Sequence, residues 1–249
     1  MDYGYDISVI IPAHNEERYI KRCIDSVRQS AEAGSLKTEI IVVCNRCTDA
    51  TEEIALANGA RTVRDESRCI ALVRNAGIKA AQGRVIVTID SDNRMTPGTL
   101  GEIYEKVTAG GYIGGGAPMR FERYSFPLRL NDYMCRAGFA LTGLWAGIIW
   151  AEKSTFDAIG GFADKRSMED IATVKLIKKY GRKHGRRFGH LRHNYLINST
   201  RKYDDAGDDW LYFRLMFRNA VPMIKAAFGK GEEYDRLLDE MFYDYNDKH

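Results

Sequence analysis

The sequence predicts an α/β fold in which a mostly parallel β-sheet is flanked by helices, and two observations support this prediction. Short apolar runs alternate along the first half of the chain with segments whose apolar side chains recur at helical spacing, which is the pattern of βαβ units. The apolar runs are continuous rather than alternating with polar residues, as expected of parallel strands that helices cover on both faces.

Four strands and three helices are predicted in this first half. The first strand ends at Pro12, and glycines at 59 and 83 end the second and third helices. The predicted strands are Ile7–Ile11, Glu39–Cys44, Arg61–Arg64 and Val85–Ile89. The predicted helices are Glu16–Gln29, Ala50–Asn58 and Ile70–Ala81.

The second half of the chain has a less regular pattern. Residues Gly110–Gly116 predict a glycine-rich turn that leads into a strand at Pro118–Phe121. A helix around Asp132–Phe139, a helix at Asp170–Tyr180 and a strand at Leu191–Asn198 follow. From Asp208 onward the aromatic and aliphatic residues again recur at helical spacing, and Pro222 should kink that helix.

The composition is that of an ordinary globular protein. Of 249 residues, 45% are hydrophobic, and the formal net charge is only +3, which argues against a dedicated nucleic-acid-binding domain. The longest mostly apolar stretch, Ala137–Ala151, is shorter than the roughly 20 residues that a membrane-spanning helix needs. The N-terminal residues do not resemble a signal peptide, and five cysteines without framework spacing suit a reducing compartment. We therefore expect a cytoplasmic protein.

Polar side chains follow three of the predicted strands at the point where each strand ends. They are His14, Asn15 and Glu16 after the first strand, Asn45 and Asp49 after the second, and Asp90 and Asp92 after the fourth. Ligands of open parallel sheets bind at the carboxyl ends of the strands, so these residues predict a site. Taken alone, Asp90 and Asp92 are better explained as solvated turn residues, and Asp49 is expected to cap the helix that follows it.

Five segments of the sequence resemble family 2 glycosyltransferases of the GT-A fold, and they occur in the order found in that family. The resemblance covers roughly residues 7–180. The segments are VIIPAHNEE (Val9–Glu17), EIIVVCNRCTDAT (Glu39–Thr51), RNAGIKAAQG (Arg74–Gly83), VTIDSDN (Val87–Asn93) and GGFADKRSMED (Gly160–Asp170).

This resemblance implies a Rossmann-like sheet and a division of the chain. It predicts a glycosyltransferase domain at 1–205, with a nucleotide-binding half at 1–93 and an acceptor-binding half at 94–205. A C-terminal helical extension would occupy 206–249. The implied activity is inverting transfer of a sugar from a nucleoside diphosphate sugar to a hydroxyl acceptor whose identity the sequence leaves open.

The resemblance also assigns the donor site. It makes Asp92 the ligand of a divalent cation, Mn²⁺ or Mg²⁺, with Asp90 as its companion near the ribose and Ser91 between them; such hard cations prefer oxygen ligands. The loop of Pro12, Ala13, His14, Asn15 and Glu16 would line the nucleoside.

The roles of two further residues predicted for the donor site, Asn45 and Arg74, are left open by the sequence. Asn45 stands where many relatives have an acidic residue against the base, and an amide can donate as well as accept. Arg74 would approach the base or the phosphates, but a salt bridge to an acidic neighbour explains it equally well.

Asp170 is the candidate general base, with Glu169 beside it, because inverting transfer needs a carboxylate to take the proton of the acceptor hydroxyl. The alternative is a carboxylate that merely stabilises the first turn of a helix. Ser199, Arg201 and Lys202 resemble a segment that faces the donor phosphates in related sequences.

Other features have competing interpretations. Cys44 and Cys47 could suggest zinc or redox chemistry, but no second ligand pair accompanies them, so packing is favoured. The basic stretch Lys175–His193 could bind a phosphate-bearing acceptor or an anionic membrane, or could be a solvated surface. The aromatic segment after Asp208 could contact a membrane, pack on the domain or form a homodimer.

Two alternative functions remain at this point, and the opening loop argues against a third. Transfer to a polyprenyl phosphate would need no deprotonation of the acceptor. A catalytically silent sugar-nucleotide-binding protein is supported only by Asn45. A nucleotidyltransferase would open with a glycine-rich loop containing Arg or Lys, and PAHNEE is not such a loop.

Overall fold

The structure is a computed structural model that describes residues 3–143, 147–164 and 169–206. These residues contain strands of two sheets. The strands are β1 (Tyr5–Ala13), β2 (Thr38–Asn45), β3 (Arg61–Asp65), β4 (Gly83–Thr88), β5 (Arg94–Met95), β6 (Tyr112–Gly116), β7 (Met119–Phe121), β8 (Ile149–Glu152), β9 (Arg187–His190) and β10 (Leu196–Asn198).

Helices connect most of these strands. They are α1 (Ile20–Ala33), α2 (Thr51–Ala57), α3 (Ile70–Ala80), α4 (Thr99–Thr108), α5 (Phe126–Thr142), α6 (Lys153–Ile159), α7 (Glu169–Lys183) and α8 (Arg201–Ala206).

The main sheet has seven strands in the order β3-β2-β1-β4-β8-β6-β9. Strands β1 to β4 are mutually parallel, β8 runs antiparallel to β4 and β6, and β9 is parallel to β6. A smaller sheet has the order β5-β10-β7. The predicted α/β class with a mostly parallel sheet is therefore confirmed.

Successive side chains of β1 point to opposite faces of the main sheet and enter two separate cores. Ile7, Val9 and Ile11 pack with α1 and α4 on one face, whereas Ile10 packs with α3, α6 and α7 on the other. Both faces are apolar because helices cover both, which explains the continuous apolar runs in the sequence.

The four strands predicted in the first half are confirmed within a few residues, but the first helix begins at Ile20 rather than Glu16. Contacts with the next loop account for the difference. The Glu16 N–H donates to Thr51 Oγ1 at 2.7 Å, and the Glu17 N–H donates to Asp49 Oδ2 at 3.0 Å. Asn15 has a left-handed backbone, with φ of 51°, so the chain turns here before helix α1 starts.

The glycine-rich turn predicted at Gly110–Gly116 is wrong, because residues 112–116 form strand β6. A Cβ on Gly115 would overlap the ring of Trp150, and a Cβ on Gly114 would lie 2.6 Å from the Trp150 carbonyl oxygen. The indole Nε1 of Trp150 donates to the Gly116 carbonyl at 3.1 Å. These glycines make room for a buried tryptophan on the neighbouring strand, a requirement that local turn preference does not contain.

Elements of the second half differ in extent from their predictions. The strand at Pro118–Phe121 and the helix around Asp132–Phe139 are confirmed as β7 and α5. The strand predicted at Leu191–Asn198 is only β10, and β9 before it was not predicted. The helical pattern from Asp208 lies outside the described residues, and the division at 93 and 205 stays a prediction.

Within the described ranges, the structure contains no helix that combines the length and apolar character needed to cross a membrane.

The packing of α3 on the sheet generates a stability prediction. A Cβ on Gly77 would overlap Ile10 Cγ2 and lie 2.8 Å from Val43 Cγ2, so Gly77→Ala should lower the free energy of unfolding by about 1–3 kcal/mol through overpacking. Denaturant unfolding measures this change. Gly101→Ala on α4 is the control, because its Cβ would come no closer than 3.7 Å to another residue, and it should be neutral or stabilising by up to about 1 kcal/mol. Equal effects of the two variants would contradict the packing argument.

Candidate active site

The candidate site lies at the carboxyl ends of three adjacent strands. Strands β2, β1 and β4 are neighbours and parallel, so the loops that follow them meet at one edge of the sheet. This arrangement brings the segment after Ala13, the segment after Asn45 and the Asp90–Asp92 turn close together.

Side chains join the first two of these loops. His14 Nδ1 lies 2.6 Å from the Asn45 carbonyl oxygen, and Asn15 Oδ1 accepts from the Thr48 N–H at 2.8 Å. Pro12 and Ala13 are buried at the end of β1. Of the five residues predicted to line a nucleoside, His14 and Asn15 therefore serve at least partly to hold the rim together.

Asn45 is buried, and its amide nitrogen donates hydrogen bonds to other groups of the protein. Nδ2 donates to the Asp65 carbonyl at 2.9 Å and to the Ser67 carbonyl at 2.7 Å. These bonds tie the end of β2 to the segment after β3. A neutral amide can donate in this way, which an acidic residue at this position could not do.

Arg74 reaches three carboxylates from helix α3. Its Nη2 donates to Asp90 Oδ1 at 2.9 Å, and its Nη1 donates to both Glu169 Oε1 at 2.9 Å and Asp170 Oδ1 at 2.8 Å. The Arg74 side chain is only 7% exposed. The salt bridge that the sequence indicated as an alternative role for Arg74 is present. It joins the turn that follows β4, Asp90–Asp92 (the fourth-strand turn), to the start of α7.

Burial raises the pKa of Asp170 to about 6, since desolvation disfavours its charged form. The positive charge of Arg74 acts in the opposite direction, and the nearby charges of Glu169 and Asp90 add to the increase. A carboxylate with this pKa is ionised at neutral pH and is more basic than an ordinary aspartate. This is the property that a general base requires.

Arg201 forms a second buried ionic cluster. It makes a bidentate pair with Glu16, with both N–O distances at 2.7 Å, and its Nε lies 3.0 Å from Asp92 Oδ2. Residue 201 is far from both partners in sequence and reaches them from the N-terminus of α8, just after the small sheet. The structure thus brings Glu16 and Asp92, both predicted for the donor site, together with Arg201. The sequence resemblance had placed Arg201 near the donor phosphates as part of a segment with Ser199 and Lys202.

Two residues at the start of α1 that the sequence did not single out also belong to this cluster: Tyr19, the residue just before the helix, and Arg22 in its first turn. Arg22 Nη2 donates to the Asp92 carbonyl at 3.2 Å and to Ser199 Oγ at 3.3 Å. The Tyr19 ring contacts two guanidinium groups, with Arg22 Cζ at 4.7 Å and Arg201 Cζ at 4.9 Å from its centroid. The three-residue separation of Tyr19 and Arg22, which places them on one helical face, is the only sequence signal for this pair.

The donor atoms of the fourth-strand turn suit a hard divalent cation. Asp90 and Asp92 offer carboxylate oxygens, whereas the buried Ser91 lies between them in sequence. Across the described ranges, no group of three or more His, Cys, Asp or Glu side chains is arranged to hold a metal ion. The residues fit a metal only if other oxygens, from a ligand or water, complete its coordination.

Cys44 and Cys47 are free thiols beside the same rim. Cys47 Sγ donates to the Ala13 carbonyl at 3.4 Å. The hydrogen bond from the Cys44 thiol lowers the pKa of Cys47. The pair contributes to packing between β1 and β2, as the sequence favoured.

Comparisons with known proteins bear on this site. The sequence model of glycosyl transferase family 2 matches residues 8–163. Glucosyl-3-phosphoglycerate synthase of Mycobacterium tuberculosis is 38% identical over 97 residues, which cover 36% of this chain and 29% of that protein. The succinoglycan biosynthesis protein ExoO of Rhizobium meliloti is 34% identical over 110 residues, 43% of this chain and 31% of that protein. The matched segments thus span less than a third of either relative.

Solved structures of low sequence identity share the fold. The mannosyltransferase PcManGT of Pyrobaculum calidifontis, in complex with GDP-Man and Mn²⁺, has a TM-score of 0.63 at 19% identity, covering 79% of this chain and 57% of that one. The M. tuberculosis synthase with Mn²⁺, UDP and phosphoglyceric acid has a TM-score of 0.60 at 20% identity, covering 90% and 78%. These likenesses confirm the predicted GT-A fold.

The Arg201 cluster generates a prediction about stability. Arg201→Leu should lower the free energy of unfolding by about 3–5 kcal/mol, because it removes the cation that pairs with the buried Glu16 carboxylate. Adding Glu16→Gln should recover part of this loss. Urea unfolding compares both with Lys21→Met, which removes an exposed pair with Asp25 and should cost less than about 1 kcal/mol. A loss in Arg201→Leu no larger than in Lys21→Met would show that the buried pair contributes nothing.

Proposed function

The chain belongs to glycosyl transferase family 2, as its five motifs predict, and we propose that it transfers a sugar from a nucleoside diphosphate sugar to a hydroxyl acceptor with inversion. The observation that carries the proposal is the charge balance at the strand ends. Two arginines, Arg74 and Arg201, contact more carboxylates than they can neutralise. The carboxylates are those of Glu16, Asp90, Asp92, Glu169 and Asp170.

An excess of negative charge at this edge of the sheet attracts a cation and would repel a diphosphate that arrived alone. When all are ionised, these five carboxylates outnumber the three arginines that the cluster contains, Arg22, Arg74 and Arg201. A divalent cation reverses this local repulsion and lets a diphosphate approach. The site therefore favours a donor that carries its metal with it or binds after the metal.

Asp92 and Asp90 would hold this cation, Mn²⁺ or Mg²⁺. The metal would neutralise the charge that grows on the departing nucleoside diphosphate. Support comes from the Pyrobaculum mannosyltransferase, which was solved with GDP-Man and Mn²⁺, and from the mycobacterial synthase, which was solved with UDP and Mn²⁺. Arg201, which pairs with Asp92 here, would orient this carboxylate toward the cation.

Asp170 acts on the acceptor. In inverting transfer the acceptor oxygen attacks the anomeric carbon from the face opposite the leaving diphosphate, and its proton passes to the Asp170 carboxylate. Arg74 is a positioning residue: by binding Asp90 and Asp170 together, it fixes the base relative to the donor-binding turn. Glu169 accepts a hydrogen bond from the same Arg74 nitrogen as Asp170, and it thereby helps to hold Arg74 in this position.

The nucleoside would lie against the loop from Pro12 to Glu16. Asn45 Nδ2 is already bonded within the protein, so we assign its Oδ1 to the ligand. An amide oxygen accepts from the imide N–H of a base such as uracil. This assignment keeps the accepting function of the acidic residue that relatives carry at the position.

The pKa of Asp170 generates a pH prediction. Because the base must be ionised, kcat/KM should rise with pH through about 6 and level off above it, falling about tenfold per unit below. Asp170→Asn should lower kcat by about 10²–10⁴ and leave donor affinity unchanged. Transfer is measured by release of nucleoside diphosphate, with the exposed Glu53→Gln as control. Undiminished transfer by Asp170→Asn would remove Asp170 from its role.

Metal dependence is tested by thermal unfolding with a panel of nucleoside diphosphate sugars. A ligand that binds only the native state raises the melting temperature. We expect a rise that needs both nucleotide and Mn²⁺ and that is lost with EDTA and in Asp92→Asn. Asp157→Asn, an exposed pair partner on α6, should behave like the parent protein. A shift independent of metal would contradict the role of Asp92, and binding without any turnover would favour the silent binding protein.

A further inference from the structure

Helix α5 presents an apolar stripe to solvent. Phe126 is 80% exposed, Leu130 39%, Tyr133 73% and Met134 50%. Their spacing of four, three and one residues places them along one side of the helix. In the described part of the chain, no other helix or strand exposes more than one large apolar side chain.

The opposite side of α5 already has its core contacts. Leu128 and Asn131 are buried, and Asn131 Nδ2 donates to the Tyr203 hydroxyl of α8 at 3.4 Å. The outward stripe is therefore not the face by which α5 packs on its own domain. A contiguous exposed apolar patch of this kind marks a surface that meets a partner or a membrane.

Basic side chains lie beside the stripe on α5 and also on α7, which reaches the far end of α5. Arg129 and Arg136 are exposed on α5 itself, and Lys178 Nζ of α7 donates to the Gly143 carbonyl at 3.2 Å, which brings the middle of α7 beside the end of α5. The neighbouring second half of α7 exposes further cations. They are Lys175, Lys179, Arg182 and Lys183.

The charge is strongly segregated to these segments. Residues 119–143 and 169–193 together contain twelve lysines and arginines but only four acidic residues, although the whole chain carries a formal net charge of only +3. Two of the four acidic residues, Glu169 and Asp170, are committed to Arg74 in the candidate site.

We propose that the apolar stripe of α5, together with the exposed basic half of α7, lies on an anionic lipid bilayer. Aromatic and aliphatic side chains enter the headgroup region, and the surrounding Lys and Arg are attracted to anionic lipids. A second copy of the chain fits less well, since a two-fold interface would bring two strongly positive surfaces together. A nucleic acid would be attracted to the basic side chains, but it would leave the four apolar side chains of α5 exposed to water.

The test is co-sedimentation of the full-length protein with vesicles of phosphatidylcholine alone or mixed with phosphatidylglycerol. We expect binding to the mixed vesicles, weakened by high salt. Phe126→Ser/Tyr133→Ser should reduce that binding at least about tenfold by removing inserted apolar area, and Arg129→Glu/Arg136→Glu should do the same through charge. Neither donor nor metal is present, so the result is independent of the transfer chemistry.

Leu56→Ser is the matched control, since Leu56 is an exposed apolar residue of α2, and it should bind vesicles like the parent protein. Equal melting temperatures of all variants exclude unfolding as the cause of lost binding. The proposal is overturned if the mixed vesicles are not preferred, or if Phe126→Ser/Tyr133→Ser binds them unchanged. It is also overturned if light scattering shows a dimer that this pair of substitutions dissociates, because the stripe would then be a subunit interface.

Discussion

A buried guanidinium group is strongly destabilising unless its charge is paired, and two arginines buried against carboxylates organise the candidate site. Arg74 holds the fourth-strand turn against the start of α7, and Arg201 holds that same turn against the first loop. Each arginine thereby fixes an aspartate of the Asp90–Asp92 turn from a different direction. The two ionic clusters share no residue, but both hold the Asp90–Asp92 turn, so this turn is fixed to α7 on one side and to the first loop and α8 on the other.

The main sheet makes this network possible. Parallel strands β2, β1 and β4 deliver three loops to one edge, and the helices that return from them bury both faces in apolar contacts. The rim can therefore carry many charges without destabilising the core beneath it. Asp170, near the N-terminus of α7, combines a partial positive helix end with a desolvated setting that raises its pKa to about 6, and the two effects together suit a base that works at neutral pH.

Local patterns in the sequence were sufficient to predict the parallel strands and the position of Asp90 and Asp92 at the end of a strand. They were insufficient wherever a distant residue decides the outcome. Strand β6 depends on space for Trp150, and the late start of α1 depends on Thr51 and Asp49. Likewise, the partners of Arg74 on α7 lie 95 and 96 residues away along the chain, so no spacing rule could have named them, whereas the ordered family motifs did identify the segments involved.

The contact of Arg201 with Glu16 and Asp92 has a consequence for how the chain is assembled during synthesis. Both carboxylates belong to the first 93 residues, yet their shared cation is made more than a hundred residues later. A nascent chain that ends before residue 201 lacks the cation that pairs with both carboxylates. The rim of the candidate site therefore closes only once the last strand of the small sheet and the start of α8 have been synthesised.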